Sequence, residues 1–352
     1  MNKICENPDC QRYLRAKRLT FIVPIYNTAK YLPKCIDSLL NQDIPHSDYQ
    51  IILVNDGSTD NSLLICESYL EKYSNIIVLS QSNAGQSAAR NLGMTKAEGD
   101  YIWFVDSDDF IEPHCLSKCL EICYQQNLDI LLFCADEMCE NYNFIKQMQH
   151  YPESETSAVF LGKTFLPSTQ YLNCVWVCFF RHQFLKAHGI RFFEGIYHED
   201  NEVLPKIFYP AKRVLGYNKV LYHVYLRPNS TIRSINPKKA FDLIQVSRSL
   251  SDYMVNYVAK EDYPVFCNKI SNAILNSLKS TLSIDEENIK KIEQAWYRNR
   301  DILKWMKYSR LRNYRIIGFF FRLFPRHIGW LYRCMKYSAK SLRLLTPKVC
   351  YK

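Results

Sequence analysis

Tyr101-Ile102-Trp103-Phe104-Val105-Asp106-Ser107-Asp108-Asp109 runs five aromatic or β-branched residues straight into three carboxylates. An apolar run of that length bounded by a polar turn reads as a buried strand. Crowding three carboxylates on one turn is electrostatically costly unless a cation neutralises them. Hard divalent ions take carboxylate oxygens, and they also take the oxygens of a diphosphate. A helix-loop-helix calcium loop would need Gly at its sixth place and Glu at its twelfth, where this chain has Ile111 and Ser117.

Working outward, the same grammar repeats toward the N-terminus. Leu19 to Ile25 is an apolar run closing on Pro24-Ile25-Tyr26-Asn27, and Gln50 to Val54 closes on Asn55-Asp56-Gly57-Ser58. Ile76 to Leu79 is a third strand. Between these lie helical patterns over Ala29 to Asn41, Asp60 to Lys72 and Ser87 to Ala97. Downstream, a helix follows Pro113, a strand covers Asp129 to Cys134, and an apolar helix runs from Glu202 to Tyr209. Strands alternating with helices predict an α/β domain, a mostly parallel sheet flanked by helices on both faces. Ligands of such sheets bind beyond the carboxyl ends of the strands, where the polar clusters at 24–27, 55–60 and 106–109 converge. Beyond about Asn236 strand signals vanish, so a C-terminal helical region is expected. The predicted division is therefore an extension over 1–18, the sheet domain over 19–236 and a helical region over 237–352.

Composition supports a chain able to bury a sizeable core, with 47% hydrophobic residues over 352 positions. Fourteen cysteines follow no repeated spacing, and no secretory leader pattern opens the chain, so they read as reduced, buried cytosolic thiols. Cys5 and Cys10 lack a second pair at zinc-ligand spacing. The longest charge-free stretch, Thr164 to Phe180, carries Pro167, Ser168, Gln170 and Asn173, so no membrane span is expected. No Gly-x-Gly-x-x-Gly follows the first strand and no phosphate-binding lysine loop is present, which argues against dinucleotide-binding and P-loop folds. A nucleotidyltransferase would want a Gly-rich loop and a lysine after that strand, and 24–27 offers neither.

Four motifs in order and spacing, Pro24 to Asn27, Val54 to Asp60, Asn83-Ala84-Gly85 to Ala89-Arg90-Asn91, and Asp106 to Asp109, resemble the family 2 glycosyltransferases of GT-A fold, the type found in bacterial surface-polysaccharide synthesis. The resemblance spans roughly Leu19 to Thr231. It implies a UDP-sugar donor, Mn²⁺ or Mg²⁺ held by Asp106 and Asp108, and inversion at the anomeric carbon. Asp56 can accept a hydrogen bond from the imide N–H of uracil, which cytosine lacks, or cap the following helix. Tyr26 can stack on the base or pack in the core, while Pro24 closes the pocket beside it. Gly85 lets the backbone approach the donor. Arg90 can hold phosphate or ribose oxygens, or form a surface ion pair.

In the family a Glu-Asp pair opens a helix under the acceptor, and Glu199-Asp200 matches it, with Asp200 resembling the general base and Glu199 the alternative. Trp176 offers a sugar platform or core packing. His198 and His223 are further contact candidates. Tyr222 to Thr231, with Arg227, resembles a segment that folds over the donor phosphates. The implied acceptor is a hydroxyl on a glycan or polyprenyl-linked molecule. The alternative is a catalytically inactive nucleotide-sugar binder or scaffold.

Charge is unevenly placed. From Asp301 onward thirteen Lys or Arg face Asp301 alone, a net +12, so the preceding residues of this +10 chain sum to −2. Tyr308 to Arg343 interleaves arginines with Phe319, Phe320, Phe321, Phe324 and Trp330, and reads as a helix or helix pair, broken near Pro325, lying on an anionic membrane surface. No nucleic-acid recognition motif accompanies that charge. The expected location is cytoplasmic, peripheral to the inner face of the cell membrane.

Overall fold

The computed structural model describes residues 17–139, 143–148, 158–166, 174–226 and 235–338. Its contacts divide it into two compact units, one drawn from Met1–Gly195 and Lys206–Pro228, the other from Ile196–Pro205 and Asn229–Lys352.

The first unit is built on a nine-stranded sheet: β1 (Leu19–Ile25), β2 (Tyr49–Asp56), β3 (Ile76–Gln81), β4 (Tyr101–Phe104), β5 (Phe110–Ile111), β6 (Ile130–Met138), β7 (Phe144–Met148), β8 (Cys178–Arg181) and β9 (Val214–Tyr225). The spatial order is β3-β2-β1-β4-β8-β6-β9-β5, with β7 on β6. β3, β2, β1 and β4 are mutually parallel, while β8 joins β4 and β6 antiparallel and β9 returns parallel to β6. Every residue of β1 and β2 is buried, which is why both read as continuous apolar runs rather than alternating ones. Helices α1 (Leu32–Leu40), α2 (Ser62–Leu70), α3 (Gln86–Thr95) and α4 (Leu116–Gln125) make the crossovers. At Gly93 of α3 an added Cβ would fall 2.5 Å from Ile22 of β1, so the helix lies flush on the sheet.

Strand order reverses between β1 and β4, and the crevice at such a switch point is where an open α/β sheet binds ligands. β1 also solves a problem of its own. Val105 donates to the carbonyl of Ile22, so Ile22 and Pro24, two residues apart, turn the same backbone edge toward β4. Pairing with β4 ends at Ile22, so the N–H that Pro24 lacks costs no ladder bond.

The first unit also holds the short helices α5 (Gly162–Phe165) and α6 (His182–Ala187). The second contains the start of α7 (Glu199–Phe208), then α8 (Pro237–Tyr257), α9 (Tyr263–Ser280), α10 (Glu286–Arg298), a 3-10 stretch Arg300–Tyr308, α11 (Arg312–Leu323) and α12 (Ile328–Ser338). Trp296 is buried at its centre, donating to Ser277 Oγ at 3.0 Å, which in turn donates to the Ala240 carbonyl at 2.8 Å. Asp301, the tail's one acid, receives a two-pronged bond from Arg248 at 2.6 and 2.7 Å. α11 and α12 are separated around Pro325, as the sequence predicts. α11 buries Ile317 and Phe321 and exposes Ile316, Phe319, Phe320 and Leu323. Among the described residues no helix is long and apolar enough to cross a membrane, and the cysteines are free thiols, mostly buried.

Candidate active site

The three strand-end loops of the first unit are tied to one another by side chains. Asn27, at φ +52°, accepts from the amides of Thr59 at 2.8 Å and Asp60 at 3.3 Å, and Asp60 accepts from the Ala29 amide at 3.0 Å. Thr28 is buried: its amide donates to Ser62 Oγ and its hydroxyl to Ser107 Oγ, both at 3.0 Å. The rim after β1, β2 and β4 is thereby a single hydrogen-bonded piece. Tyr26 stands on it 48% exposed, which excludes the core-packing alternative and leaves its ring free for stacking.

Asp56 ends β2 and is buried. Its carboxylate accepts from Gln81 Nε2 at 2.7 Å and from the amides of Ala84 and Gly85, each at 2.8 Å. It does not cap α2; it holds the loop after β3. Gly85 sits at φ +88°, a left-handed conformation suited to glycine, and the space beside its Cα is open.

Asp106 follows β4. One oxygen pairs with Arg90 Nη2 at 2.8 Å, while 27% of its side chain stays exposed. Arg90, expected on phosphate or ribose oxygens or in a surface ion pair, stands in an ion pair that is buried rather than on the surface. Arg90 is 1% exposed, with its guanidinium 5.3 Å from the Phe192 ring. Asn91 fixes that lid by giving and taking bonds at 2.9 Å with the Phe192 backbone. Burial in such a niche turns Arg90 from a ligand into a buried support for Asp106.

No local sequence pattern marks Tyr222 for this role, yet it organises the acidic turn. Its hydroxyl accepts from the Asp106 amide at 3.0 Å and donates to Asp109 Oδ2 at 2.8 Å. Asp109 Oδ1 accepts from the Tyr225 amide at 2.8 Å. Burial, and then the negative charges of Asp108 and Asp106, push the Asp109 carboxyl well above the ordinary range. Asp109 is therefore structural, and Asp106 and Asp108 are the part-exposed members. Among the described residues no group of three or more ligating side chains is gathered for a metal. Two hard carboxylates fit Mg²⁺ or Mn²⁺ when phosphate and water oxygens complete the shell.

The tyrosine also explains Trp176, whose ring is buried and stacked on Tyr222 at 4.4 Å and 17°. One face of the indole is taken, so the open sugar platform is replaced by a packed wall. Tyr222 to Tyr225 belong to β9 rather than to a closing loop, and Arg227 lies outside the described residues. His223 is likewise structural, with Asp136 at 2.7 Å from Nδ1 and Glu112 at 2.9 Å from Nε2.

In the second unit Glu199 and Asp200 open α7, as the family resemblance implies and three residues ahead of the start expected at Glu202, with Glu199 buried and Asp200 partly so. His198 precedes them at φ +64°; burial and then the charge of Lys239 lower its pKa.

The sequence model described as Glycosyl transferase family 2 matches residues 20–189. The uncharacterized glycosyltransferase YibD of Escherichia coli is 29% identical over 72% of this chain and 76% of its own length. The uncharacterized glycosyltransferase EpsJ of Bacillus subtilis is 34% identical over 64% of this chain, which spans 65% of EpsJ. Among solved structures, residues 1–349 of S. aureus TarS in complex with UDP-GlcNAc superpose with a TM-score of 0.72 at 21% identity, covering 92% of each chain. The GT-A type sheet, the strand-end acidic turn and these likenesses agree: residues 20–189, just under half of the chain, are similar to glycosyltransferase family 2.

Proposed function

We propose that this protein is an inverting, metal-dependent hexosyl- or N-acetylhexosaminyltransferase that uses a UDP-sugar. The observation that carries the reading is the acidic turn at the end of β4, in which Arg90 and Tyr222 fix Asp106 while Asp106 and Asp108 stay part-exposed. That the TarS structure of like fold was solved with UDP-GlcNAc supports the donor class. Tyr26 would stack on the base, Pro24 and Gly85 line its approach, and Asp56, besides holding the loop at 84–85, would accept from the uracil imide. A divalent ion at Asp106 and Asp108 would offset charge on the departing diphosphate.

Asp200 is assigned as general base, with Glu199 as the alternative. The base removes the acceptor hydroxyl proton as that oxygen bonds to the anomeric carbon, and the bond to the diphosphate breaks on the opposite face. The products are the inverted glycoside and UDP. The acceptor we propose is a glycan or polyprenyl-linked hydroxyl in surface polysaccharide synthesis. Its setting is the cytoplasmic membrane face, which exposed Leu323 would meet together with Ile316, Phe319 and Phe320; these last three line an open hollow of about 490 Å³ with Arg312 and Arg315.

The test is a panel of nucleotide sugars assayed for transfer or hydrolysis with Mn²⁺, Mg²⁺ or chelator, on the wild type, Asp108→Ala and Asp200→Asn. Activity should require the metal and collapse in Asp108→Ala, and Asp200→Asn should bind donor normally with turnover lower by about a hundredfold. Full activity in excess chelator refutes the metal site. Donor binding without turnover on any sugar favours the inactive binder.

A further inference from the structure

The segment that carries Glu199 and Asp200 is held by a buried carboxylate that the proposed reaction does not use. Asp242, on the second turn of α8, is 1% exposed. Its Oδ2 accepts from the Tyr197 backbone N–H at 2.8 Å and from Lys238 Nζ, one turn earlier on α8, at 2.6 Å. Burying a charge is costly unless it is paired and hydrogen-bonded, and here one oxygen meets both an amide and an ammonium. Lys238 and Lys239 flank the Tyr197 ring at 5.4 and 5.9 Å, and Asn236, the N-cap of α8, donates to the Tyr197 hydroxyl at 3.4 Å.

Immediately after this anchor the backbone turns through His198 at φ +64°, a conformation non-glycine residues adopt only when their surroundings impose it. α7 begins at the next residue. A second tie follows one turn in, where Ser249 of α8 donates to Glu202 of α7. The first turn of α7, with Asp200 in it, is thus sprung between two points on one helix.

We propose that Asp242 is a positioning residue for the Glu199–Asp200 pair: by gripping the Tyr197 amide it fixes the His198 turn and with it the direction in which the first-turn carboxylates of α7 point. The inference rests on the reading of Asp200 as base. Small misplacements of a reacting group cost large factors in rate, while donor binding does not depend on where the base points.

The full-length protein is assayed as wild type, Asp242→Ala, Asp242→Asn, Lys238→Ala and Asp200→Asn, with folding checked by circular dichroism. Asp242→Ala should lower kcat by roughly tenfold to a hundredfold and leave KM for the UDP-sugar within about twofold. Asp242→Asn, whose amide oxygen still accepts from Tyr197, should recover most of that loss, and Lys238→Ala should stay near wild type. Wild-type kcat in Asp242→Ala, no recovery in Asp242→Asn, or an equal loss in Lys238→Ala overturns the proposal. If Asp242→Ala does not fold, Asp242→Glu takes its place: it keeps the charge but lengthens the arm, so kcat should fall, and an unchanged kcat is refuting. A fully active Asp200→Asn would instead reject Asp200 as base, leaving the two failures distinct.

Discussion

Removing one oxygen atom, in Tyr222→Phe, should test the organisation of the acidic turn. The phenol bridges the Asp106 amide and the Asp109 carboxylate at 3.0 and 2.8 Å, and the residue is fully buried. Phenylalanine keeps the stack on Trp176, so packing changes little. What is lost is a donor to a buried carboxylate and an acceptor for a partly buried amide, and leaving a buried polar group without its partner costs about 1–3 kcal/mol. Asp109 retains the Tyr225 amide, which softens the first loss. We take about 2–3 kcal/mol for the pair, which for a unit of this size lowers Tm by roughly 4–12 °C. Thermal melts followed by tryptophan fluorescence measure it, and UDP binding with Mn²⁺, by calorimetry, should weaken several-fold because Asp106 is less firmly held. A Tm within about 1 °C of wild type with unchanged UDP affinity would refute the reasoning.

Three further outcomes are expected. Asp56→Ala should weaken binding of both uridine and cytidine nucleotides, because the loop at 84–85 loses its anchor, but uridine by about tenfold more, the worth of about 1.4 kcal/mol; equal losses in titrations leave Asp56 a loop anchor only. His182 has its pKa lowered by burial and then by Lys186; Nδ1 meets the Gly99 carbonyl at 3.1 Å, and Nε2 is buried with no hydrogen-bond partner among the described residues. The unfolded chain therefore takes up this proton first, so stability should fall as pH drops from about 6.5 through the lower folded value and then level off. Urea midpoints at a series of pH values should show that slope reduced in His182→Gln, and an identical slope rejects the assignment. Vesicle co-sedimentation of the full chain should require anionic lipid and weaken in salt, and Phe319→Ser with Phe320→Ser should remove the salt-resistant part; complete competition by RNA would point elsewhere.

The central strands were legible because a buried parallel strand writes itself as an unbroken apolar run, and β1, β2 and β4 each end in the polar cluster that marks the crevice. Helix starts were less so. Ala29 belongs to the rim rather than to α1 because Asp60 claims its amide, and no local pattern announces that. β9 escaped notice because it carries Asn218 and Lys219 in its middle and pairs with β6 through two register shifts, which breaks the alternation a strand is read by. Tyr222 meets Asp109 across 113 residues, a contact fixed by sheet closure and invisible along the chain. Arg90 is hidden for the same reason. An arginine on a helix reads as a donor ligand or a surface ion pair until Phe192, a hundred residues on, is seen to cover it.

The ten residues Ile196–Pro205 leave the sheet unit, join the helical one, and are followed by a return to the sheet at Lys206. The chain therefore passes between its units three times, and a crossover at one junction cannot exchange the helical region between relatives. A recombinant that swaps everything after residue 228 would keep its own Tyr197 and Glu202 but face a foreign α8, with the Asp242 and Ser249 ties left to chance. Productive chimeras need the decapeptide and the helices transplanted together. The helical region and the short insert it grips are one structural unit, although more than twenty residues separate them along the chain.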